Sequence, residues 1–176
     1  QARFAKGFPA PKGKMYYPVH VPSSASFEKP VKAGIEQACH FMLKVPVPMF
    51  GVKGIRFLAK RVRNYAENPG DRKATLYLGN IIRMQEEIGT GGAGFRFLYA
   101  AFLQEAAGLL KKEELSRLAG ELTQTGDLWR NFAFAAGRVC KSRSADNVSY
   151  RELSEMLLQC AASEEVFFRK LAQVKL

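Results

Sequence analysis

The chain has 176 residues, 47% apolar and 24% charged, with a formal net charge of +11. That length supports one domain with a sizeable core, and the composition excludes a disordered or low-complexity chain. No apolar run approaches the ~20 residues of a membrane span, and the N-terminal stretch lacks the apolar core and small-residue cleavage site of a signal peptide.

Residues 1–24 are rich in Pro, Gly, Lys and aromatics. Met15, Tyr17, Val19 and Val21 alternate along this stretch, but Pro18 and Pro22 restrict it to an edge strand or an extended arm. The expectation is an arm or linker over 1–24 and a single helical domain over 25–176. The chain starts at Gln1 rather than Met, which reads as a fragment or a processed product.

From Ser26, a candidate N-cap, Val31, Ile35, Cys39 and Met42 recur at helical spacing as far as about Lys44. Pro46 and Pro48 end that helix. A second helix begins near Phe50, with Ile55, Leu58, Ala59, Val62 and Tyr65 on its apolar face. Lys53, Arg56, Lys60 and Arg63 form a basic stripe on another face. Asn68-Pro69-Gly70-Asp71 is a stop followed by a new N-cap. The third helix carries Leu78, Ile81, Ile82 and Ile88, with Gln85 in the same row.

Then comes Gly89-Thr90-Gly91-Gly92-Ala93-Gly94, followed by Phe95-Arg96. The helix after it has Phe95, Leu98, Tyr99, Phe102, Leu103 and Ala106 on one side and Ala100, Ala101 and Ala107 on another. Being apolar on more than one face, the Phe95–Leu109 helix is expected at the centre of the fold. A further helical stretch runs from about Lys112 to Val139, with Gly126-Asp127 as a candidate break. Leu115, Leu118 and Leu122, then Leu128, Trp129, Phe132 and Ala136, face the core. Lys141–Asn147 is a polar loop, and Ser149-Tyr150-Arg151-Glu152 reads as a capping box for the last helix. The sum is an all-α bundle of about 5–7 helices with an extended N-terminal arm.

The glycine loop is the strongest functional candidate. Its backbone can turn sharply and lie close to another surface. Arg96 stands in the first turn of a helix, where the dipole disfavours a cation unless a carboxylate or an anion offsets it. One reading is an exposed nest of N–H groups that, with Arg96, holds an anion or a partner's loop. The other is a tight connection in which Arg96 pairs with Glu86 or Glu87. Gly89-x-Gly91-x-x-Gly94 matches a dinucleotide fingerprint as text, but the helical periodicity of Leu76–Ile88 removes the strand that mechanism needs. A phosphate loop would need Lys-Ser/Thr where Phe95-Arg96 stands.

Catalytic and metal chemistry has little support. Cys39, Cys140 and Cys160 are far apart and read as reduced, buried thiols of an intracellular protein. Cys39 and His40 point ~100° apart on a helix, so they cannot chelate one ion locally. His20 is the only other histidine. Glu86-Glu87 and Glu113-Glu114 read as solvated faces. The expectation is no catalytic residue, no metal ligand and no bound cofactor in this chain.

The charge is concentrated. Residues 1–63 hold twelve Lys/Arg against Glu28 and Glu36, whereas 64–176 hold fifteen Lys/Arg against fourteen Asp/Glu. Such a face seeks an acidic partner. Nucleic acid is a competing partner, but no zinc-finger spacing, RNP motif or helix-turn-helix grammar supports it.

Ala2-Arg3, Gly51-Val52-Lys53-Gly54-Ile55-Arg56, Ile88-Gly89-Thr90-Gly91-Gly92 running into Phe95-Arg96, Tyr99-Ala100-x-Phe102-Leu103-x-Glu105-Ala106 and the later Trp129 together resemble the C-terminal domain of BtrH-like proteins. These are named after the butirosin-biosynthesis acyltransferase of secondary metabolism. The resemblance implies a helical companion to a papain-like N-terminal domain, absent from this chain, that supplies the nucleophilic Cys and its His. The parent would be an acyltransferase or cysteine-type amidase, able to take a phosphopantetheine-borne acyl group from an acyl carrier protein. Gly89, Thr90, Gly91, Gly92, Arg96 and Tyr99 would then shape a binding cleft, with Phe95, Tyr99 and Phe102 anchoring that wall to the core. Lys53, Arg56, Lys60 and Arg63 would dock the acidic carrier. The expected place is the cytoplasm. The alternative is a basic helical module that binds nucleic acid or another protein.

Overall fold

The computed structural model describes residues 17–20, 26–65, 72–141 and 148–176. Among these it has six α-helices and no strand: α1 (Glu28–Leu43), α2 (Gly51–Asn64), α3 (Arg72–Glu86), α4 (Arg96–Leu110), α5 (Glu113–Cys140) and α6 (Tyr150–Leu171). The expected all-α bundle is what forms. Most of the expected arm, the Asn68–Asp71 stop and the polar loop beyond Lys141 lie outside the described residues. Tyr17–His20 is exposed and without regular structure. No helix among the described residues is long and apolar enough to cross a membrane.

Local rules explain most of the helix boundaries. Ser149 accepts a hydrogen bond from the Glu152 N–H (3.1 Å), and the Glu152 carboxylate accepts from the Ser149 N–H (2.7 Å), so the capping box forms as the spacing predicts. The hydrogen bonds from Ser149 hold the Glu152 carboxyl below the usual range. Ser26 does not cap α1. The position before its first turn is Phe27, in helical conformation, and no side chain caps it. At the end of α4, Lys111 is left-handed, and its N–H bonds to the Ala107 carbonyl.

The helix pair α5 and α6 forms the spine. Leu115, Leu118 and Leu122 of α5 pack with Phe167, Phe168 and Leu171 of α6, and with Ile35, Cys39 and Leu103 from α1 and α4. Toward the other end, Trp129, Phe132 and Ala136 of α5 pack with Leu153, Leu157 and Cys160 of α6, and with Val62 and Leu78 from α2 and α3. The start of one helix meets the end of the other, so the two run antiparallel. Each serves both apolar clusters.

Two expectations about these helices change. The helix after the glycine loop is not the central one. Phe95 and Leu98 are 52% and 60% exposed, and α4 buries only Ala100, Leu103, Ala106 and Ala107. Its apolar face is shared between core and surface, whereas α5 is buried along most of its length. Nor is α5 broken at Gly126. That glycine is buried because the Phe97 ring of α4 lies against it: a β-carbon there would stand 2.6 Å from Phe97 Cε1. The glycine marks a close helix approach, not a turn.

Candidate functional site

The loop between α3 and α4 runs through a stretch of positive φ. Gly91, Gly92, Ala93, Gly94 and Phe95 all have positive φ, at 68°, 86°, 50°, 54° and 70°. Ala93 and Phe95 are L-residues with β-carbons, and each left-handed residue of that kind costs about 1–2 kcal/mol. The surroundings hold them there. Thr90, buried, donates through Oγ1 to the Gln85 carbonyl (2.6 Å) and accepts from the Gly92 N–H (3.2 Å). The Ala93 N–H donates to Glu86 Oε1 (3.0 Å), which also accepts from Gln85 Nε2 (2.9 Å). Gln85 Nε2 reaches the Trp129 carbonyl as well (2.8 Å), tying the end of α3 to α5. Two loop N–H groups are thus taken by internal acceptors, which leaves fewer for an anion nest. Gly89 and Gly91 face outward, exposed and with nothing within 4 Å of an added β-carbon.

Arg96 does not pair with Glu86 or Glu87. It turns into the bundle, where its Nε and Nη2 each reach Glu164 Oε1 of α6 at 2.7 Å. Its Nη1 donates to the Gly94 carbonyl (2.7 Å), and its guanidinium lies over the Trp129 ring, 4.6 Å from the centroid. Trp129 Nε1 donates to the same Glu164 oxygen (2.6 Å). Glycine suits position 94, because its φ of 54° is one that side chains rarely adopt and a β-carbon would stand 2.6 Å from Arg96 Nη1. The carboxylate that a cation at a helix start requires is therefore present. It comes from a residue 68 positions away, which the local sequence could not indicate.

Arg96, Tyr99 and Glu164 line one cavity of about 270 Å³. Gly94 and Phe95 form part of its wall, so the end of the glycine loop reaches it. Phe41 and Met42 of α1, with Leu122 and Phe168, supply most of the rest. The Tyr99 ring stacks on Phe102 and Phe168, at centroid distances of 5.5 and 6.3 Å. Burial, with a smaller contribution from Cys39, raises the Tyr99 hydroxyl above its ordinary range. Two buried oxygens at this site have no partner among the described residues: Glu164 Oε2 and the Tyr99 hydroxyl. Buried polar atoms are nearly always hydrogen-bonded, so a pair of exceptions lining one cavity calls for a reason. Of the expected anchors, Tyr99 and Phe102 are half-buried, but Phe95 is half exposed and does not reach the core.

The basic stripe on α2 is split by α6. Arg56 bonds Glu165, which also accepts from Arg169 Nη2 (2.5 Å). The Arg56 and Arg169 guanidiniums hold the Glu165 carboxyl below the usual range. Arg63 stands 3.9 Å from Glu155. Lys53 and Lys60 are exposed and form no ion pair with a described residue. The four residues share a face, but only the two lysines keep their charge open to a partner.

The thiols are placed as small apolar groups. Cys39 and Cys160 are buried, and burial pushes Cys39 up to about 11 and Cys160 up to about 12 from an ordinary 9.0. Nearby Glu36 adds to the first shift and Glu164 to the second. Burial raises Cys140 too, and its thiol lies 3.6 Å from the Thr75 carbonyl. Such thiols stay protonated at neutral pH and make poor nucleophiles. Among the described residues, no group of His, Cys, Asp and Glu is arranged to hold a metal ion.

Reasoning from sequence missed Glu164, the centre of this site. The signal was a single carboxylate in the apolar row of the last helix, between Cys160 and Phe167–Phe168. A family model described as a domain of unknown function (DUF4872) matches residues 1–171. No curated protein and no solved structure matches the chain.

Proposed function

We propose that this chain, which belongs to the DUF4872 family, is an accessory helical domain of a BtrH-like cysteine-fold acyltransferase or amidase and is not catalytic by itself. The observation that carries the reading is the glycine loop. Five successive residues of positive φ carry it to the wall of an apolar cavity, while Gly89 and Gly91 stay bare on the outer side. Held strain of this kind collects where a surface has work to do beyond connecting helices. A neighbouring catalytic domain would approach over the bare glycines, and the loop would form one wall of the shared cleft. The raised thiols support a division of labour in which the nucleophile comes from that neighbour.

The exposed Lys53 and Lys60 suit an acidic partner such as an acyl carrier protein bearing its acyl group on phosphopantetheine. Charges of this kind steer encounter more than they add affinity. Arg56 and Arg63 keep α2 on α6 and only border that surface. The setting proposed is cytoplasmic.

The test begins with the coding sequence upstream, where an open frame with a Cys and a His in papain-like context is expected. The two-domain protein is then assayed for acyl transfer from carrier-protein thioesters and for amide hydrolysis. Asn tolerates the left-handed region, so Gly91→Asn adds a side chain on the outer face at little cost to the fold. It is expected to reduce turnover at least tenfold with an unchanged melting temperature. Lys53→Glu with Lys60→Glu should raise KM for the carrier-bound substrate and leave kcat alone. Full activity in both variants defeats the proposal. So does turnover by the isolated chain that is lost on Cys39→Ala, Cys140→Ala or Cys160→Ala. Sub-micromolar binding of duplex DNA or RNA by the chain near 150 mM salt, tighter than ordinary non-specific affinity, would favour a nucleic-acid module instead.

A further inference from the structure

The cavity beside Arg96 has the features of a small-molecule site in its own right. Its volume of about 270 Å³ lies near the lower end for ligand pockets, and at ~30 Å³ per water-sized group it holds about nine non-hydrogen atoms. Its wall is mostly apolar, supplied by Phe41, Met42, Phe95, Leu122 and Phe168. An aromatic or branched aliphatic body fits such a wall.

The polar groups define the rest of the ligand. Glu164 is fully buried, and its Oε1 already accepts from Arg96 and Trp129. Among the described residues its Oε2 has no donor, and the Tyr99 hydroxyl has neither donor nor acceptor. A ligand that relieves both must bring an N–H or O–H for the carboxyl oxygen and an acceptor for the hydroxyl. Charge narrows the choice further. The Arg96 guanidinium and the Glu164 carboxyl offset one another at 2.7 Å. An additional ion in this apolar space would lose its hydration with no counter-charge to replace it. An amide group supplies both a donor and an acceptor without a charge.

From these contacts we infer that the cavity walled by α1, α4, α5 and α6 binds a small neutral amide with an apolar body. Its N–H is received by Glu164 Oε2, and its carbonyl accepts from the Tyr99 hydroxyl. The site shares its wall with the proposed cleft, but it needs no catalytic neighbour. Binding by the isolated chain and activity of the two-domain protein are therefore separate readouts.

The test uses the full chain and benzamide, an amide of about the predicted size. Trp129 is the only tryptophan, and its indole N–H donates to Glu164. One indole cross-peak in a proton–nitrogen spectrum therefore reports directly on the site. Titration with benzamide into the millimolar range should shift that peak saturably. Toluene, which lacks the amide, and benzoate, which adds a charge, should bind at least several-fold more weakly. Tyr99→Phe keeps the ring and removes the orphan hydroxyl. It should weaken benzamide about 5-fold, the size of one hydrogen bond, without lowering the melting temperature. Ala38→Leu fills the cavity from α1 without touching the Arg96–Glu164 pair, and should abolish the shift. The inference is overturned by an indole peak that does not move, the behaviour expected of a cavity that holds only water. Equal affinity for toluene and benzamide overturns it too, as does a titration unaltered in Ala38→Leu.

Discussion

Arg96 ties the glycine loop to two other helices. It closes the glycine loop through the Gly94 carbonyl, offsets Glu164 and covers Trp129. Removing one partner of a buried pair leaves the other charge without compensation, which costs about 3–5 kcal/mol. Arg96→Gln is therefore expected to lower the melting temperature by about 10 °C for a domain of this size. Arg96→Met combined with Glu164→Leu should recover part of the loss, because it removes both charges and the orphan oxygen. Thermal melts of the single and double variants test this. A double variant no more stable than Arg96→Gln would mean that the pair is not the source of the effect.

Cys160 makes a second prediction at this scale. Its folded thiol is raised to about 12 from 9.0, so the folded state holds that proton more tightly than the unfolded chain does. The resulting stability is complete below pH 9.0 and is lost as pH rises from there toward 12. Melting temperatures between pH 8 and 10.5 should fall more steeply in the wild type than in Cys160→Ala. Parallel curves would show that the thiol does not contribute.

Among the elements, α4 and α5 approach one another closely at Gly126. Gly126 leaves room for the Phe97 ring, and the same ring lies under the Arg130 guanidinium, 4.6 Å from the centroid. Gly126→Ala would normally favour a helix interior by about 1 kcal/mol. Here its methyl group meets an aromatic carbon at 2.6 Å, and α4 must move away. The expected result is a net loss of about 1–3 kcal/mol, the usual cost of overpacking. Chemical denaturation measures it, and a stabilised variant would contradict the packing described. The sequence reading of α5 shows why such a residue misleads. Gly126-Asp127 has the composition of a break, and only the presence of Phe97, from another helix, explains a glycine in an unbroken one. The capping box at Ser149 was legible because both partners lie within four residues. Ile35, Cys39, Leu78 and Phe132 were legible as core because period alone placed them.

At the scale of the whole molecule, what could be read depended on distance along the chain. The all-α class followed from local patterns, and so did the glycine loop as the feature to watch. The partners of Arg96 and of the α2 stripe did not follow, because Glu164, Glu165 and Glu155 all lie on α6. Glu86 and Glu87 were nearer in sequence, but Glu86 is engaged by the Ala93 N–H and Gln85. Nor does sequence show that a cavity remains beside a buried pair, since that is set by how four helices close around it.

The antiparallel α5–α6 spine has a kinetic consequence. Because each long helix belongs to both apolar clusters, neither end of the molecule can open fully while the middle turns of the spine stay intact. Amide protons near Leu122–Trp129 and Leu157–Glu164 should therefore exchange with deuterated solvent only through global opening, and share one rate. Those of α2 and α3, which lean on the spine from one side, are free to exchange through smaller excursions. The chain would then behave as one slow-exchanging shaft carrying faster attachments, with the Arg96 cavity on the slow part.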